Sequence, residues 1–171
     1  MTYPPQYPQQ PAAPRYASNV PLWAPYYDAP LPVAVRRFWK KYATFTGRAS
    51  RSEYWWWALI SGIVTIVLEI LAAVAGSAGS TTSIYGTTSP GPAAGFFGFI
   101  IVLWALATVI PGLALLVRRL HDANFSAWMV LIVLVPFLGA IALLVLTALP
   151  PNQTGRRFDR PAVATLGTWG P

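Results

Sequence analysis

SRSEYWWWALISGIVTIVLEILAAVAG, residues 50–76, decides the class of fold. It opens on Ser50 with Glu53 three positions later. In that pattern the two side chains satisfy each other's free backbone N–H groups at a helix start. Tyr54, Trp55, Trp56 and Trp57 follow, rings that favour the boundary between a bilayer and water. The run from Tyr54 to Gly76 is 23 residues long. At a rise of about 1.5 Å per residue it extends about 34 Å, enough to cross a hydrocarbon core of about 30 Å.

The composition agrees. Of 171 residues, 55% are hydrophobic and 10% charged, where a soluble domain carries roughly 25% charged residues. Glu69 is the only charge between Tyr54 and Val117, and there is none between Ala123 and Gly155. Such long neutral stretches suit hydrocarbon as the surrounding solvent. The chain has no Cys and one His, His121. Disulfide frameworks, thiolate metal sites and thiol nucleophiles are thereby excluded, and neither a metal nor a cofactor is expected.

Upstream, residues 1–32 hold nine prolines among Tyr, Gln and Ala. No periodicity survives so much proline, and a disordered arm with polyproline II bias is expected. It lacks a basic start followed by an apolar run, so it does not read as a signal peptide. Its expected role is a solvated tether, with docking to a proline- or tyrosine-recognising partner as the alternative. In residues 33–46, VAVRRFWKKYATFT, helical spacing puts Val35, Phe38, Trp39, Tyr42 and Phe45 on one side, and Arg36, Arg37, Lys40 and Lys41 on the other. This predicts an interfacial helix with its rings in the headgroup boundary and its cations toward anionic lipid. A nucleic-acid patch would share the pattern, but an apolar span follows almost at once, and no nucleic-acid partner is expected.

Arg36, Arg37, Lys40, Lys41, Arg48 and Arg51, six of the 12 Lys and Arg residues, lie on the near flank of the first span, which puts the N-terminus in the cytoplasm. The loop over residues 77–94 is Gly-, Ser-, Thr- and Pro-rich and uncharged, as suits the opposite side. A second span runs from about Gly95 to Val117, with a kink expected at Pro111-Gly112. It ends in Arg118, Arg119, Leu120, His121 and Asp122. If the first two helices pack antiparallel, this string meets Arg48, Arg51 and Glu53 in one cytoplasmic cluster suited to a phosphate or an anionic headgroup. Glu53 reads as a helix cap, and the adjacent His121 and Asp122 have no nucleophile to serve. Glu69 lies about 22 Å along the helix from Tyr54, well inside the hydrocarbon, where an acid costs roughly 2.5–3.5 kcal/mol. An intramembrane acid suggests proton or cation coupling.

The third apolar run, Ser126 to Leu149, has Pro136 and Gly139 near its centre. It either crosses with a proline kink or turns back as a re-entrant hairpin. The kinked crossing is preferred, because a turn in mid-membrane needs protein to cover its backbone. Arg156, Arg157 and Arg160 just beyond argue the other way, for a cytoplasmic tail.

The strings FTGRASRSEYWWW (45–57), RRLHD (118–122) and SAWMVLIVLVPFLGAI (126–141), in this order, resemble the YhaH-like family of small bacterial inner-membrane proteins, domain of unknown function 805. The resemblance covers about residues 35–160. It implies a bacterial inner-membrane location and no assigned activity. It also implies a working cluster at Gly47, Arg48, Arg51, Glu53, Tyr54, Trp55, Arg118, Arg119, His121 and Asp122. Where the family has Asn-Arg-Phe-Gly near its end, this chain has Arg156-Arg157-Phe158-Asp159.

The expectation is therefore an all-α membrane protein: a short interfacial amphipathic helix and three hydrophobic membrane helices, the third kinked or re-entrant at Pro136. The divisions are an arm over 1–32, a helical membrane domain over 33–149 and a tail over 150–171. The expected function is non-enzymatic, with the cluster binding anionic lipid or a protein partner in the bilayer. A small transporter or channel subunit using Glu69 is the alternative. Ala72 and Gly76 form a small-xxx-small pair, a pattern that lets two membrane helices approach and allows a homo-oligomer.

Overall fold

The computed structural model describes residues 20–159. The start signal at Ser50 forms: the Ser50 hydroxyl accepts from the Glu53 N–H at 3.1 Å, and a Glu53 carboxylate oxygen accepts from the Ser50 N–H at 3.0 Å. From this cap α2 runs Arg51–Ser77. A two-stranded turn of β1 (Thr81–Thr82) and β2 (Thr88–Ser89) leads into α3, Pro92–Asp122. Both long helices are apolar and long enough to cross a bilayer, and none of the most apolar stretch of α2 is buried. Ile63, Ile66, Ile70 and Val74 stand more than half exposed on it, an outer surface made for lipid rather than water.

The two helices pack antiparallel. Trp57 meets Trp104 with ring centroids 6.2 Å apart, and the Ala49 N–H donates to the Arg118 carbonyl at 3.0 Å. At the far end Gly91 donates to the Gly76 carbonyl at 2.9 Å. A Cβ on Gly76 would sit 3.3 Å from the Ala94 Cβ, so this glycine of the small-xxx-small pair lets α3 of the same chain approach. The helix continues through Pro111, which is buried.

α1, Leu31–Lys40, is shorter than expected and is turned differently. Its ring Phe38 stacks on Trp57 at 3.4 Å and forms the core with Ala49 and Leu115. Arg37 is buried against α2, while Arg36, Trp39 and Lys40 remain exposed. The expectation that all four cations face lipid is corrected: burial of Phe38 draws its neighbour Arg37 inward with it. The helix stops before β-branched Thr44 and Thr46, and Gly47 turns the chain at φ 83°.

In the third apolar segment the second of the two expected forms appears, the turn-back rather than the kinked crossing. The segment forms a 3-10 helix, Ala127–Leu134, breaks at Val135–Phe137, and returns as α4, Leu138–Ala148. Phe137 takes the left-handed φ of 58° at the tip, a conformation rare for a bulky residue. Each arm is about 16 Å long by its residue count and rise, roughly half a hydrocarbon core. Both arms start and end at the C-terminus of α3. The Arg119 Nε donates to the Thr147 carbonyl at 2.9 Å, another of its nitrogens donates to Leu149, and the Asn152 N–H reaches the Asp122 carbonyl at 2.8 Å. The preferred kinked crossing is thus replaced by a hairpin. The carbonyls left free at the end of α4 are the acceptors a buried guanidinium requires.

The arms touch at Gly139, where an added Cβ would meet the backbone carbonyl of Ile132. Backbone cannot yield as a side-chain tip can, so Gly139→Ala should destabilise by about 1–3 kcal/mol. Gly62, with open space around it, should tolerate alanine or gain up to about 1 kcal/mol of helix propensity. Thermal unfolding in detergent distinguishes the two variants.

Candidate functional site

At the end where α2 begins and α3 finishes, two buried charge clusters sit side by side. The first is built on Glu53. Its carboxylate takes the Arg37 Nε in an ion pair, accepts the Ser50 N–H, and lies 4.0 Å from the Lys41 ammonium. Arg37 then donates to the carbonyls of Val20 at 3.1 Å, Pro21 at 3.2 Å and Ala24. Ser50 donates to the Tyr26 carbonyl at 2.6 Å, and Ser52 accepts the Ala29 N–H at 2.9 Å. Of the arm expected over residues 1–32, residues 1–19 lie outside the described residues. Residues 20–30 form a turn-rich strap wrapped on Arg37 and on the start of α2.

The second cluster is built on Asp122. Arg119 donates to it at 2.7 Å, the Tyr27 hydroxyl at 2.8 Å, and Arg48 at 3.4 Å. Arg48 also makes a two-pronged bond to Asp159, at 2.9 and 2.8 Å. Beside it the His121 ring stacks on Phe158, centroids 4.0 Å apart and planes 4° from parallel. The His121 Nδ1 is 3.2 Å from the Gly47 carbonyl, and the Gly47 N–H donates to the Phe158 carbonyl at 3.0 Å. The short 3-10 turn Gln153–Phe158 is thereby stitched to the end of α3. Gly155 fits there because a Cβ would strike the His121 carbonyl.

The structure therefore gathers Arg48, Arg119 and Asp122, places His121 beside them, and sets Glu53 in a neighbouring cluster. Arg118 lies within electrostatic reach of Glu53 and Arg37. Its Nε donates back to the Ala114 carbonyl at 3.1 Å, and its Nη2 has no partner among the described residues. Arg51 joins neither cluster. It is exposed, and with Ser52, Trp55, Trp56 and Leu59 it borders a groove of about 430 Å³. Glu69 stands apart on the exposed flank of α2, with no ion pair among the described residues. Among those residues no three His, Asp or Glu side chains gather as they would for a metal.

Sequence reasoning missed Arg37, Lys41, Tyr27 and Asp159 as members. One signal was present: a Glu at a helix start that is to be buried needs a cation, and α1 carries several. Nothing local marks Tyr27 or Asp159.

Burial sets the electrostatics. It pushes the Lys41 ammonium down to about 8, against the pull of Glu53. Burial, then the hydrogen bond to Asp122, raises the Tyr27 phenol to about 12. The bond to Asp159 raises Arg48.

Removing one partner of a buried pair strands the other charge, at about 3–5 kcal/mol. Asp122→Asn and Glu53→Gln should each lower the melting temperature in detergent markedly. Between pH 8 and 10 the unfolded chain holds a proton on Lys41 that the folded chain releases. Stability should accordingly rise with pH across that window. Lys41→Met should flatten the rise in pH-resolved melting curves.

Comparisons with known proteins match the sequence to a family. The model of a protein of unknown function, DUF805, matches residues 42–160. The inner membrane protein YhaI of Escherichia coli K12 is 35% identical over 119 residues, covering 70% of this chain and 86% of that one. The inner membrane protein YhaH of the same strain is 33% identical over 124 residues, covering 70% and 87%. No solved structure matches. The matched span contains both long apolar helices, the hairpin, Glu53 of the first cluster and all of the second but Tyr27, and on it this membrane protein belongs to the DUF805 family.

Proposed function

We propose that this inner-membrane protein is a non-enzymatic binder of anionic phospholipid, with Arg51 as the headgroup ligand. One observation carries the reading. Of the cations expected to meet lipid from the cluster, Arg51 alone is exposed, and it sits above an apolar groove lined by Trp55, Trp56 and Leu59. A guanidinium over an apolar trough fits a phosphate with an acyl chain below it. Arg36, Lys40, Arg156 and Arg157 are also exposed at this end and add attraction to a negative surface, about 1 kcal/mol per cation. Arg48, Arg119, Asp122 and Glu53 serve as the clamp that holds the rim together.

The same reading sets the topology: α2 and α3 cross, the hairpin enters and leaves on the cytoplasmic side, and both termini are cytoplasmic. Its support is that every Lys and Arg among the described residues lies at one end, while the loop over residues 77–91 carries none. Self-association or a membrane-protein partner is compatible with it but has no observation of its own.

Native mass spectrometry of gently purified protein tests the lipid site. Wild type should retain phosphatidylglycerol or cardiolipin over phosphatidylcholine, and Arg51→Ala should lose most of that preference. Equal retention by Arg51→Ala would overturn the assignment. For topology, a fluorescent reporter fused after residue 160 should light and an alkaline phosphatase fused there should stay inactive; the reverse pattern rules out a cytoplasmic tail.

A further inference from the structure

The two charge clusters differ in balance. Around Asp122 there are two arginines, Arg48 and Arg119, and two carboxylates, Asp122 and Asp159. Around Glu53 there are three cations, Arg37, Lys41 and Arg118, and one carboxylate. Glu53 is already engaged by Arg37 and by backbone N–H groups. The two remaining cations are deeply buried, with Lys41 at 4% exposure and Arg118 at 2%. Lys41 donates no side-chain hydrogen bond among the described residues, its one opposite charge being Glu53 at 4.0 Å. Arg118 keeps an unpartnered Nη2. Withdrawing two such charges from water without counter-charge costs several kcal/mol per ion.

Lys41 borders a cavity of about 190 Å³ between the strap and the turn after α1. Trp23, Lys40, Thr44, Thr46 and Gly47 also line it. At about 30 Å³ per water molecule, the space holds roughly six waters, enough for a tetrahedral oxyanion with a small substituent. Two threonines and two lysines in the lining carry side chains able to donate hydrogen bonds, and Arg118 lies within electrostatic reach of Lys41. We propose that this cavity is a second anion site, taking a phosphate dianion or phosphate monoester whose oxygens bond Lys41 and the Thr44 and Thr46 hydroxyls. This inference goes beyond the lipid reading: the site lies on the strap side of α1 and does not use the Arg51 groove.

The charge excess selects the ligand class. Two surplus positive charges favour a dianion over a phosphodiester or chloride. An anion bound there also holds the proton on Lys41, so affinity should fall as pH rises above about 8.

Inorganic phosphate and vesicles containing phosphatidic acid, a lipid phosphate monoester, are the two probes. Chloride at matched ionic strength and phosphatidylglycerol vesicles are the controls, all with the full chain in detergent or reconstituted. Phosphate should raise the melting temperature above the chloride value, and phosphorus NMR should report binding weakened at least tenfold in Lys41→Gln. Thr46→Val, at an exposed wall that leaves the clusters intact, should weaken binding several-fold and keeps the test open should Lys41→Gln fail to fold. Arg51→Ala should leave the phosphate response unchanged, which separates this site from the lipid groove. A response to inorganic phosphate identifies a soluble ligand, and a response to phosphatidic acid alone identifies a lipid one. If neither probe exceeds its control, or if the response persists in both Lys41→Gln and Thr46→Val, the site is overturned.

Discussion

A guanidinium withdrawn from water keeps five N–H donors that must be given acceptors, and that requirement organises the charged end of this protein. Arg37 is met by Glu53 and by the carbonyls of the strap. Arg119 is met by Asp122 and by the terminal carbonyls of α4. Arg48 is met by Asp122 and Asp159. In each case at least one acceptor lies on a separate segment, so satisfying one side chain fixes the path of that segment. The strap, the return of the hairpin and the tuck of the tail are three answers to the same demand. Lipid alone would leave α2 and α3 as a bare helical pair; the arginines turn the pair into a fold with a shaped rim.

Much of this was legible. The cap at Ser50 and Glu53, the two long apolar helices and their antiparallel pairing follow from hydropathy, spacing and backbone chemistry that act over a few residues. So does the meeting of Arg48 with Arg119 and Asp122, once the helices pair. The inward turn of Arg37 and Lys41 was not legible. An amphipathic helix looks the same whether its rings enter lipid or stack on Trp57, and burial of Phe38 made the choice here. Hydropathy also treats the third segment as one more span. The hairpin depends on Arg119 finding carbonyls at Thr147 and Leu149, a pairing that leaves no periodic trace. Tyr27 and Asp159 are single polar residues in irregular stretches, visible as partners only after the chain has closed.

The cations consequently divide by exposure rather than by position along the chain. Arg37, Arg48 and Arg119, drawn inside, hold segments together, and their charge is spent on carboxylates and carbonyls. Those left outside, Arg51 among them, retain charge for external anions. Pairing with a carboxylate or carbonyl, not the count of basic residues, therefore separates scaffold from anion contact, and neighbours as close as Arg36 and Arg37 differ in burial.

The bond between Arg48 and Asp159 spans 111 residues. At a synthesis rate of about 5–20 residues per second, Arg48 waits roughly 6–20 s for that partner to be made. Throughout that interval the Arg48 guanidinium is short of one of its two carboxylate acceptors. The rim can acquire its final form only after residue 159 has been made, and until then its basic residues are open to whatever anions the newborn chain encounters.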